Sequence, residues 1–144
     1  MICYLLFKKN NNNKNFGDDK LGTKVDYDAI IVGAGFAGLA LIHHLKKLGI
    51  SLKVFDKASG IGGTWNWNKY PGAATDSEGY YYCLSFSKEI MQEWTWSERY
   101  PGWEETNRYL HFVADKCNMW PDIQLNTEII NAEFSNDEKI WIVT

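Results

Sequence analysis

Apolar positions along the chain fall into blocks of different period, and each period predicts an element. Residues 27–32 (Tyr-Asp-Ala-Ile-Ile-Val) are a short, mostly apolar run that stops at Gly33. Such a run reads as a strand covered on both faces of a parallel sheet. From about Phe36 the spacing changes: Leu39, Ile42, Leu45 and Leu48 recur at threes, Lys46 and Lys47 occupy the last turn, and Gly49 follows. This is a helix with basic charge at its C-terminal end and a glycine stop. Residues 52–55 give a second strand. Beyond Asp76 the pattern loosens until residues 104–119, which predict a second helix. Glu104 and Glu105 suit its N-terminal dipole, Tyr109, Phe112, Val113, Cys117 and Trp120 fall on one face, and Pro121 ends it. Strand-like pieces follow at 123–125, 128–134 and 140–143, the last two joined by the turn-rich Ser135-Asn136-Asp137. A strand ending at Thr144 leaves apolar surface and an unpaired edge, which predicts a chain cut short.

The first strand and helix flank Gly33-Ala34-Gly35-Phe36-Ala37-Gly38, a G-x-G-x-x-G turn. Alone that motif is weak, since glycines recur in turns of many kinds. Here a strand precedes it, a helix follows, and Asp56 stands at the end of the second strand, eighteen positions past Gly38. In a dinucleotide site Gly33 permits the tight turn, Gly35 lets backbone approach a pyrophosphate, and Gly38 lets the helix lie close to the strand. Phosphate then meets the free N–H groups at the helix start. Asp56 can accept hydrogen bonds from ribose hydroxyls, and its charge disfavours a 2'-phosphate, so FAD and NAD both remain open; the bland reading is a solvated turn carboxylate. Gly62 and Gly63 permit a further close approach of backbone to the same ligand.

Composition narrows the setting. The chain has 144 residues, a net charge of −3 and fifteen scattered basic residues, which gives no electrostatic case for nucleic acid and room for one ordinary domain. Cys3, Cys83 and Cys117 are odd in number and far apart, with no C-x-x-C pair. They argue against a disulfide framework and a metal site, and for a reducing, cytoplasmic compartment. Residues 1–24 read as a disordered leader: an apolar run at 2–7, Lys8-Lys9, then asparagines 10–13. The run is shorter than a signal peptide needs, its lysines are on the wrong side, and no stretch is long enough to span a membrane. His43 and His44 have no partner at metal-ligand spacing and read as surface or packing residues. The seven tryptophans are dense for this length, and core filling explains any one of them as well as a flat ligand does.

The run Gly62-Gly63-Thr64-Trp65-Asn66-Trp67-Asn68-Lys69-Tyr70-Pro71-Gly72-Ala73-Ala74-Thr75-Asp76 resembles the segment after the fingerprint in Baeyer-Villiger monooxygenases. The likeness continues through residues 82–87, 92–100 and 108–116, and covers nearly everything from Tyr27 onward. It implies an FAD-binding portion of an NADPH- and oxygen-dependent flavin monooxygenase that converts ketones to esters or lactones. By matched position it sets Gly33, Gly35, Phe36, Ala37 and Gly38 around the FAD pyrophosphate and Asp56 on the adenosine ribose. Gly63, Thr64, Trp65, Asn66 and Trp67 line the flavin side, Asp76 and Tyr82 neighbour the flavin, and the backbone at Ile129 meets the adenine. Ala74, Thr75 and Asp76 touch the nicotinamide cofactor, with Asp76 the one catalytic candidate; many relatives carry arginine where Ala74 stands. Without the resemblance Asp76 reads as a turn carboxylate, and Tyr80, Tyr81 and Tyr82 cannot be told apart.

The family's second glycine-rich motif for NADPH, its F-x-G-x-x-x-H-x-x-x-W signature and its active-site arginine do not occur in these 144 residues. The expected fold is therefore α/β, a Rossmann-like dinucleotide-binding fold with a parallel sheet plus a small antiparallel meander, spanning 25–144 as an incomplete FAD-binding domain. Such a portion is expected to be inactive alone. The rival readings are a flavin-containing monooxygenase of amines or sulfides, which generally lacks Tyr70-Pro71-Gly72-Ala73 followed by Asp76, and a non-catalytic nucleotide-binding remnant.

Overall fold

The computed structural model describes residues 4–7 and 25–144. Its sheet has four strands in the order β1-β2-β3-β4: β1 (Tyr4–Phe7), β2 (Ala29–Val32), β3 (Leu52–Phe55) and β4 (Ile123–Gln124). Strands β2, β3 and β4 run parallel, with Ala29 beside Leu52 and Phe55 beside Gln124. The fold is Rossmann-like. Helix α1 (Phe36–Lys47) links β2 to β3 and packs on both, burying Gly38, Leu39, Ile42 and Leu45. These four positions are one face of a helix, and burying them joins α1 to Ile31 and Val54 of the sheet in the core. Val32 and Phe55 end level with each other, so the glycine turn and Asp56 leave the sheet at the same edge.

Between β3 and β4 lie three helices: α2 (Thr64–Trp67), α3 (Lys88–Glu93) and α4 (Trp103–Lys116). Helix α4 buries Tyr109, Leu110, Val113 and Ala114 and starts with Glu104 and Glu105 at its positive end. The expected helix over 104–119 thus begins one residue earlier and stops at Lys116. Asn118 takes a φ of 47°, which turns the chain out of the helix, and Trp120 lies in a 3-10 turn instead of on the α4 face. Helices α2 and α3 are short, and no apolar period marks them in the sequence. Ser87 caps α3 by accepting from the Ile90 amide at 3.4 Å.

The antiparallel piece is a hairpin of β5 (Ala132–Ser135) and β6 (Ile140–Val143), with Phe134 opposite Trp141. It is shorter than the expected 128–134 strand: the Ile130 amide instead donates to the Thr144 carbonyl at 2.8 Å. Residues 4–7, assigned from sequence to a disordered leader, form β1 and pair antiparallel with β2. The open edge of β2 accepts any nearby extended segment, and an apolar run supplies one. The remainder of the leader lies outside the described residues. Among the described residues, no helix is long and apolar enough to cross a membrane.

Candidate functional site: a glycine-lined cleft at the head of α1

The tight turn after β2 sets one wall of the site. Gly33 takes a φ of 105° and donates its amide to the Phe55 carbonyl at 2.8 Å, so the turn is pinned to the end of β3. A β-carbon on Gly38 would come within 2.1 Å of the Gly33 carbonyl oxygen, so only glycine lets α1 start this close to the strand. Helix α1 has no acidic residue in its first turn, and no side chain caps it. Its first amides have no partner within the helix and keep their partial positive charge for whatever enters the cleft.

The opposite wall is the Ile61-Gly62-Gly63 bend. The Gly62 amide donates to the Ala34 carbonyl at 2.9 Å, and a β-carbon on Gly35 would sit 3.4 Å from the Gly63 Cα. Two backbone segments nearly thirty positions apart in sequence thus face each other at contact distance. The cleft between them measures about 200 Å³. It is lined by Gly33, Gly35, Phe36, Ala37 and Gly38 on one side and by Gly62, Gly63, Thr64, Trp65 and Tyr82 on the other. None of these side chains is charged, so the backbone dipoles alone give the cleft its preference for an anion.

Aromatic contacts close one end. The Trp65 indole N–H donates to the Tyr82 hydroxyl at 3.2 Å, and the Tyr82 ring meets Phe36 edge-on at 5.0 Å. Tyr82 is the tyrosine in the cleft; Tyr80 and Tyr81 are two-thirds exposed and meet each other at a tilt instead, with ring centres 4.1 Å apart. Tyr109 stands behind this group. Its buried hydroxyl accepts from the Leu84 amide at 2.7 Å, and burial pushes its pKa up to about 12.

Asp56 is 3% exposed and does not line the cleft. Its Oδ2 accepts from the Ala34 amide at 2.7 Å and its Oδ1 from the Ala58 amide at 2.9 Å. It ties the glycine turn to the β3 end, a supporting role that sequence spacing could not distinguish from ribose contact. Asn66 is half-buried beside Gly62, while Trp67 is half-exposed away from the cleft.

Four further positions lie apart from it. Thr75 is buried, donating its amide to the Pro101 carbonyl and its hydroxyl to the Ser77 carbonyl. Ala74 forms an isolated bridge with Gly102 and lines a second, more open cleft with Tyr100, Trp103 and Arg108. Asp76 is exposed, and Ile129 is half-buried beyond β4. Gly62 was legible in the sequence as half of a glycine pair that admits close backbone approach, and it lines the cleft. Asn107, whose amide holds the Ile61 carbonyl behind that bend, carried no such signal.

Residues 31–94 match the family model described as an NAD(P)-binding Rossmann-like domain. The chain is 47% identical over 117 residues to an acetone monooxygenase (methyl acetate-forming) from Gordonia sp. (strain TY-5), covering 81% of this chain and 22% of that enzyme. It is equally 47% identical over 122 residues to the phenazine N-monooxygenase PhzNO1 of Lysobacter antibioticus, covering 84% of this chain and 23% of that enzyme. Among solved structures, an oxidized steroid monooxygenase bound to NADP superposes with a TM-score of 0.76 at 43% identity, covering 79% of this chain and 22% of that one. The chain is related to the Baeyer-Villiger monooxygenases. It spans about a fifth of the length of these relatives.

Proposed function

We propose that this chain binds FAD, as part of a flavin monooxygenase that inserts oxygen beside a ketone carbonyl to give an ester or lactone. The observation that carries this reading is the cleft itself, where the glycine turn, the start of α1, the Gly62–Gly63 bend, Trp65 and Tyr82 converge on one uncharged, backbone-lined space. That space suits a diphosphate, with an adenosine to one side and a flat ring system to the other. Gly33, Gly35, Phe36, Ala37 and Gly38 hold the diphosphate through backbone. Asp56 fixes the turn and keeps lone pairs for a ribose hydroxyl, since each carboxylate oxygen can accept twice. Gly63, Thr64, Trp65, Asn66 and Tyr82 orient the flavin, Trp67 meets the part of it that reaches beyond the cleft, and the backbone at Ile129 borders the adenine.

FAD, when bound, supplies the redox and oxygen chemistry, while the protein orients it and excludes water. Exposed Asp76 and Ala74 face the nicotinamide cofactor, whose main site lies outside these 144 residues, and buried Thr75 holds the segment between them in place. The chain alone is then a cofactor module without turnover, in a cytoplasmic setting. The equal identity to a phenazine N-monooxygenase favours one alternative, oxygen transfer to a ring nitrogen on the same cofactor platform. The test is calorimetric titration of the purified chain with FAD, NAD and ADP. FAD binding tighter than NAD supports the reading, whereas no heat with any of the three counts against it. Adding a relative's remaining domains in trans and assaying a ketone and a phenazine then separates the two activities.

A further inference from the structure

We propose that Asn107 of α4 is a positioning residue for the cofactor cleft, acting through the Ile61-Gly62-Gly63 bend; this rests on the FAD reading above. Asn107 Nδ2 donates to the Ile61 carbonyl at 2.9 Å, across 46 positions of sequence. The orientation of its amide is fixed by chemistry, because a carbonyl oxygen can only face the NH2 end. The same nitrogen covers the bare face of Gly62, where an added β-carbon would come within 2.2 Å of it. Gly62 holds a φ of 128°, a conformation that side chains rarely adopt, so the bend needs both glycine and something to keep it bent.

The bend has two anchors. On the cleft side the Gly62 amide donates to the Ala34 carbonyl at 2.9 Å; on the far side Asn107 holds the preceding carbonyl. Removing the second anchor leaves the Ile61 carbonyl without its partner and frees the bend to pivot about the first. Gly63, one residue on, stands at contact distance from Gly35 across the cleft, so a pivot changes the width that a diphosphate meets. Asn107 itself does not line the cleft, so its effect runs through the bend, at the point where Gly63 faces Gly35 and a diphosphate would sit.

Two variants of similar size separate this from a packing role. N107D keeps the shape but sets an acceptor against the Ile61 carbonyl, and N107L keeps the bulk without a donor. In both, ligands that carry a diphosphate (FAD and ADP) are expected to bind about five- to tenfold more weakly, as for one lost hydrogen bond with its acceptor left bare. AMP, which lacks the second phosphate, is expected to change less than about twofold. Hydrogen exchange of the unliganded chain is the second readout: the amides of Gly62 and Trp65 exchange faster in the variants, while those of Ile42 and Leu45 in α1 do not. Equal affinities for FAD and ADP in wild type and both variants overturn the proposal, as does unchanged exchange at Gly62. A wild-type chain that binds neither FAD nor ADP sinks the FAD reading instead, a result visible before any variant is made.

Discussion

At the level of single residues, the cleft depends on positions where the chain has no tolerance. Gly38 is one, because any side chain drives into the Gly33 carbonyl at 2.1 Å. Gly38→Ala is expected to cost about 2–3 kcal/mol, as overpacking does. For a chain of this size that is a fall of roughly 6–10 °C in melting temperature, read by circular dichroism. Asp56 is another. It was legible in the sequence as the acidic residue closing the second strand, but its observed partners are the Ala34 and Ala58 amides. Asp56→Asn turns one acceptor into a donor that faces an amide, so a loss of about 2 kcal/mol is expected from the charged hydrogen bond. Urea denaturation checks it, and unchanged stability would show that the tie to the glycine turn carries no load.

At the level of elements, the strands and helices that bury a regular stripe were readable, and those that do not were missed. Strand β3 matches its apolar run and helix α1 its stripe at Leu39, Ile42 and Leu45, whereas the fourth expected position, Leu48, lies past the helix end and is exposed. Helices α2 and α3 have four and six residues, too few to show a period, and they form because of what they cap and pack against. The segment carrying α3 is tied to α4 by the Tyr109 hydroxyl and to α1 by the His43 ring, which stacks on Phe86 at 4.0 Å. Tyr109→Phe leaves the buried Leu84 amide without a partner, and a loss of about 1–3 kcal/mol in chemical denaturation is expected. His43 has a buried Nε2 with no hydrogen bond partner. Burial first, then the charges of Lys47 and His44, hold its pKa below the ordinary value of 6.5. A histidine depressed in the folded state takes up its proton more readily when unfolded, so its contribution is complete above about pH 6.5 and is lost as the pH falls below it. His43→Phe keeps the stacked ring without the titration. Its urea midpoint is expected to drop less than that of wild type between pH 7 and pH 5.5; equal drops would contradict this assignment.

At the level of the whole molecule, the chain is a Rossmann-like segment with a glycine-lined cleft at the head of α1, and it spans about a fifth of its monooxygenase relatives. The glycine turn and the Gly62–Gly63 pair were legible because close backbone approach admits little but glycine, whereas Thr64 and Trp65 were legible only through the family resemblance. Periodicity could not choose Tyr82 from three adjacent tyrosines; the family resemblance picked it by position, and the fold gives the physical reason, turning one ring inward and leaving two outside. Asn107 was invisible, since an asparagine mid-helix carries no periodic signal, and its partner lies 46 positions away. The central claim is that the space between the α1 start and the Gly62–Gly63 bend is where a dinucleotide diphosphate sits. Amide chemical-shift mapping of the labelled chain during FAD titration tests it most directly. The account predicts that the largest shifts fall on Gly35, Phe36, Ala37, Gly63 and Thr64, saturating together. Shifts confined to the second cleft around Tyr100, Trp103 and Arg108, with the glycine turn unmoved, would contradict it.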